Sequence, residues 1–170
     1  GATKLEDRPR KGYIGVMKRF FALFVVAVAV LFTPGGGVGD ASAQRMDNLA
    51  TFSRDALSIR SGDKTHTFSV ELALNGRQHA QGLMFRRRMA PDAGMLFVYD
   101  SPQRVSFWME NTLIPLDMLF LDATGTVTRV HENAVPLDRT PIPGGTDIQY
   151  VLEINGGLAR QIGISEGDVL

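Results

Sequence analysis

Two acids interrupt runs that are otherwise apolar: Asp117 stands between Leu116 and Met118, and Glu153 between Leu152 and Ile154. An ionised carboxylate withdrawn from water is costly unless a donor or a counter-charge meets it. One solution is local. Asp117 would accept from backbone amides, or from Asn111 and Thr112 in the tight connection ending at Pro115, and Glu153 would pair with an arginine such as Arg86. The other is catalytic: two carboxyls held at separated pKa values can serve as acid and base in bond cleavage, with Glu110 as a further candidate. Spacing along the chain does not decide whether Asp117 and Glu153 reach one substrate.

A binding chemistry centres on Trp108, the one tryptophan of the chain. On a strand it shares a face with Glu110 and Thr112. There its ring would line a cleft and stack on a flat or sugar-like ligand, or else cover a second layer of structure. Asn111, which the turn before Pro115 would rotate, joins Asp117 and Arg86 in the candidate ligand set. Arg86 opens the run Arg86-Arg87-Arg88. Such a run suits a solvated helix end, or an anionic glycan or lipid headgroup, with Arg86 itself turned inward.

Other chemistries find little footing. His66, His79 and His131 have no HExxH spacing and no neighbouring carboxylate pattern, so no metal site is expected. Methionines 84, 95, 109 and 118 lie among apolar residues and read as core filling. The chain holds no cysteine. Thiol catalysis, disulfides and Cys-ligated zinc are thereby excluded, and no cofactor is expected.

The elements that must position these residues are mostly strands. From Thr65 to Leu74, apolar Phe68, Val70, Leu72 and Leu74 alternate with Thr67, Ser69, Glu71 and Ala73. Asn75 offers an N-cap to a helix predicted over Arg77–Arg88. Met95–Tyr99 reads as an inner strand, Ser101-Pro102 as a turn, and Val105–Glu110 as a second, two-faced strand. Leu116–Leu121 and Thr126–His131 form a hairpin around Asp122–Gly125. Pro136–Thr146 reads as a long loop, Ile148–Ile154 as a buried strand, and Leu158–Ile162 as one helical turn; one more strand would begin at Asp168. The sum is a mainly β, single-domain β-sandwich or small barrel with one or two short helices over residues 64–170, behind an extended lead-in at 44–63 with a strand at Ala56–Arg60.

The N-terminal part has another grammar. Met17-Lys18-Arg19 precedes thirteen apolar residues, then a Pro/Gly-rich stretch and Ala41-Ser42-Ala43. That is the order of a secretory signal peptide, spanning 17–43 and cleaved after Ala43, with residues 1–16 an upstream extension. Such an apolar run rises about 20 Å as a helix, short of roughly 30 Å of hydrocarbon. The product would be periplasmic or secreted, held to the membrane only if the leader stayed uncleaved. Six of the 18 basic and three of the 18 acidic residues lie in residues 1–43. The remaining body carries twelve bases and fifteen acids, a balance that argues against a nucleic-acid partner.

Four motifs, QGLMFR (81–86), GMLFVY (94–99), FWMENT with PLD (107–112 and 115–117) and YVLEINGG (150–157), resemble the domain-of-unknown-function 192 family in order and spacing. The resemblance runs from about Phe68 to Leu170. It implies a compact β-sandwich of jelly-roll type with short helices, often behind a signal peptide, and no established activity. The residues favour a non-enzymatic ligand-binding or accessory module of the envelope, with a small polar or saccharide ligand, over a saccharide hydrolase or lyase using the carboxylate pair. A regulator binding nucleic acid through the arginine run is the third reading.

Overall fold

A computed structural model describes residues 49–170. The predicted leader, its cleavage point and the extension at 1–16 lie outside the described residues. Strands form where apolar and polar residues alternate and where short apolar runs are buried on both faces, as in β4: β1 (Ser53–Ser61), β2 (Lys64–Ala73), β3 (Ala93–Phe107), β4 (Leu116–Leu121), β5 (Val127–Ala134) and β6 (Ile142–Asn155). They build one mixed sheet in the order β1-β2-β3-β6-β4-β5, in which β2 and β3 alone run parallel. The expected mainly β fold is present, with two short helices, α1 (Gly76–Gln81) and α2 (Leu158–Ile162). Arg60 of β1 and Thr126 beside β5 each bridge to Val169. The sheet therefore rolls until its two edges approach one residue, without closing, an arrangement consistent with a small β-sandwich.

Several boundaries differ from the sequence reading, for local reasons. The lead-in supplies a complete edge strand, because Ser53–Ser61 pairs along its whole length with β2. β3 is one strand and not two. Its pairing with β2 ends at Phe97, so Pro102 interrupts no ladder on that side and the turn is absorbed as register shifts between Val98 and Val105. β6 begins at Ile142, inside the expected loop. There Gly144 lets the strand cross Phe120, since a Cβ would stand 2.3 Å from the ring.

Parallel β2 and β3 need a crossover, and residues 74–92 provide it. Asn75 caps α1 as expected, its side chain accepting from the Gln78 amide at 3.0 Å. The helix does not reach Arg88, however. Gly82 takes a left-handed φ of 48°, and a Cβ there would press to 3.1 Å from the Phe97 ring. Arg86–Arg88 consequently lie beyond the helix.

Partners across a ladder share a face. Glu71, Met95, Glu153 and Met118 form one row, followed by Ala73, Phe97, Val151 and Phe120. This face packs with Leu83, Met109 and Ile114 from the connections. The opposite face carries Leu72, Leu96, Leu152 and Leu119, and Leu57, Ile59, Phe68 and Val70 are buried beside them.

Asp117 pairs in register with Ile154, and so belongs to the opposite face from Glu153. It is fully buried. Its Oδ1 accepts from the amides of Asn133 and Gly157, and its Oδ2 from the amide of Ala159, each at 2.8 Å. Backbone amides thus meet this acid, one of the two local solutions expected, and Asn111 and Thr112 do not. The carboxylate ties β4 to β5 and to the start of α2, whose capping glycine has no side chain for the task. Asp117→Ala strands three donors and is expected to lower stability by about 1 to 3 kcal/mol; urea melts that match the wild type would contradict this role.

Candidate functional site

Glu153 lies in the middle of its row, 4% exposed, between Met95 and Met118. Arg86, its expected partner, is engaged elsewhere. Glu71 takes Arg86 and also Arg54, the latter at 3.1 Å. Burial pushes the Glu71 carboxyl up, but the hydrogen bonds and charges of the two arginines outweigh it and hold the group below its ordinary value. The Arg86 guanidinium also stands 6.0 Å over the Phe52 ring. Among the described residues, Glu153 has no hydrogen-bonding or ion-pair partner, nor are its oxygens sealed from solvent.

They open on a pocket of about 320 Å³. One wall is α1 and the turn after it, from His79 to Met84; the other is β3, through Phe97, Tyr99, Ser106 and Phe107, with Trp108 just beyond its end and Thr112 and Glu153 completing the lining. The strand period brings alternate β3 residues Phe97 and Tyr99 to this side. Phe97 and Phe107 meet edge to face at 5.0 Å, and His79 lies 4.7 Å from Tyr99 with a ring nitrogen 2.9 Å from the Ala73 carbonyl. Trp108 is 48% exposed and forms the rim. Arg139 sits 5.9 Å over its ring.

Electrostatics follow from this burial. With no counter-charge, burial pushes the Glu153 carboxyl up to about 8. Burial, and then the charge of Glu153, pushes the Tyr99 phenol up to about 12. At neutral pH the pocket floor is therefore mostly an uncharged carboxylic acid, able to donate as well as accept.

The sequence-derived candidates are thus divided. Trp108 and Glu153 share the pocket. Asp117 lies across the sheet with both its oxygens hydrogen-bonded, Glu110 pairs with Arg139 at 3.2 Å, and Arg86 is held by Glu71. Asn111 adopts a left-handed φ of 55° and turns its amide toward the Met84 sulfur at 3.9 Å, outside the lining. No acid–base carboxylate pair is assembled, because the two ladder positions are offset by one residue. His79, Tyr99, Phe97 and Phe107 join the site unforeseen. The signal for Phe97, Tyr99 and Phe107 was alternation on β3, but the expected turn at Ser101-Pro102 concealed that β3 continues; His79 lies on α1.

Burial of Glu153 has a sign that can be tested. Its folded value lies above the ordinary 4.5, so the folded state holds the extra proton between the two values. The stability this group contributes is present below about 4.5 and is lost as pH rises toward about 8. Between pH 4.5 and pH 7 the loss is about 3 kcal/mol. Glu153→Gln should remove that slope and melt higher than the wild type at pH 8; parallel stability profiles for the two proteins would contradict it.

Comparison with known proteins gives the following. The DUF192 family model, described as "Uncharacterized ACR", matches residues 57–170. A crystal structure titled "putative transcription regulator" from Sinorhizobium meliloti 1021 is 42% identical, with a TM-score of 0.69, covering 71% of this chain and 94% of that one. A protein of unknown function from Novosphingobium aromaticivorans is 36% identical, with a TM-score of 0.67, covering 79% of this chain and 98% of that one. None of the curated proteins matches. The chain belongs to the DUF192 family.

Proposed function

We propose that this protein is an exported, non-enzymatic binding module of the cell envelope, and that a small ligand enters the pocket between α1 and β3. The observation that carries this reading is Glu153: a buried acid without a partner, on the floor of an aromatic-walled pocket of ligand size. Such an acid is a liability to the empty protein, and a ligand group would relieve it. Catalysis has less support. The other candidate carboxylates are occupied, Asp117 by three amides and Glu110 by Arg139, and among the described residues no second acid lines the pocket with Glu153.

Export rests on the order of charged, apolar and small residues in 17–43. Among the described residues, no helix is long and apolar enough to cross a membrane. The description of the Sinorhizobium protein as a transcription regulator raises nucleic acid as a partner. Against it stand the excess of acids in the body and the engagement of Arg86 with Glu71.

Trp108, the only tryptophan, makes the pocket its own reporter. Titration with benzyl alcohol and with N-acetylglucosamine should shift its fluorescence and the amide signals of Gly82, Leu83 and Glu153 for at least one of them. Trp108→Ala should weaken that binding roughly threefold to tenfold while stability stays within about 1 kcal/mol. Signals that stay fixed, or that move evenly over the whole surface, would contradict a pocket.

A further inference from the structure

Resting on that reading, we infer that the pocket takes an organic ammonium cation, with Glu153 as its counter-ion and the β3 aromatics as its walls. Three features of the site point the same way. First, the acid has acceptor capacity and no donor: Arg54 and Arg86 serve Glu71, one position away across Met95 in the same row. Second, among the described residues no lysine or arginine lines the pocket, and the Arg139 guanidinium over Trp108 at its rim is balanced by Glu110 at 3.2 Å. Third, the surroundings are aromatic: Phe97, Tyr99, Phe107 and Trp108 offer ring faces and edges, and ring faces attract cations most strongly where water is excluded. Trp108 already shows this affinity toward the Arg139 guanidinium. The hydroxyls of Tyr99, Ser106 and Thr112 supply acceptors for ammonium hydrogens that the carboxylate leaves unmet.

Binding would move a proton. Near neutrality the free Glu153 is mostly protonated. As the ammonium enters, the carboxylic O–H proton leaves to solvent and the carboxylate forms the ion pair, so charge inside the pocket stays balanced. Other titratable groups packed around Glu153 are few. Tyr99 stays protonated, since its value is pushed up to about 12. His79 lies across the pocket with a ring nitrogen at the Ala73 carbonyl. Glu71 is paired with its arginines, and His131 lies beyond Met118.

The test compares benzylammonium with benzyl alcohol, nearly equal in shape, by calorimetry in buffers of different protonation enthalpy. The cation is expected to bind at least tenfold tighter, to release about one proton per molecule at pH 7, and to gain affinity about tenfold from pH 6 to pH 7. Glu153→Gln should erase the preference, the proton release and the pH dependence, and a slope that survived it would overturn the inference. Equal binding of the two compounds would also overturn it while leaving the pocket reading intact. If neither compound binds, both readings fail.

Discussion

A one-residue offset across β4 and β6 governs the molecule. Because strand side chains alternate, pairing Asp117 with Ile154 and Met118 with Glu153 sends the two interior acids to opposite faces of one sheet. A carboxylate in dry surroundings must either collect donors or surrender its charge. Asp117 follows the first course, with three amide donors from β5 and α2. Glu153 follows the second, and its burial without a partner keeps the proton on. The sheet thus separates a structural acid from a chemically available one.

That division explains why the connections look as they do. The helix of the crossover between β2 and β3 ends at Gly82, so the chain turns back over Phe97 and walls the space above Glu153 without filling it. Glu71 meanwhile gathers the two nearby arginines, leaving the central row without a cation. An interior that lacks disulfides must find its stability in packing. An acid that weakens the fold as pH rises is then a feature expected at a site of function, where local cost is tolerated for what it allows.

Much of this was legible in the residues. Alternation marked β2 and a continuous apolar run marked β4 almost to the residue, Asn75 announced the start of α1, and the apolar neighbours of Asp117 and Glu153 marked both as buried. What escaped has physical causes. A proline normally ends a strand, yet Pro102 lies where β3 has already parted from β2, so the strand runs on. Arg86 was a plausible partner for Glu153 by charge alone, but Glu71, on the same face, stands nearer the edge where arginines can reach it. The register between β4 and β6 depends on long-range pairing, and no local pattern could assign the two acids to different faces. For Trp108 the residues left a cleft and a covered second layer open, and its half-exposed place at the pocket rim, like the aromatic walls beside it, depended on the course of β3.

The account turns on the charge state of one side chain. Carbon-13 NMR of the Glu153 carboxyl, followed from acid to alkaline pH in the ligand-free protein, measures it directly. A midpoint near 8 is the predicted result. A midpoint close to the ordinary 4.5 would mean that the acid finds a counter-charge or water throughout, and the proton-holding pocket described above would have no basis.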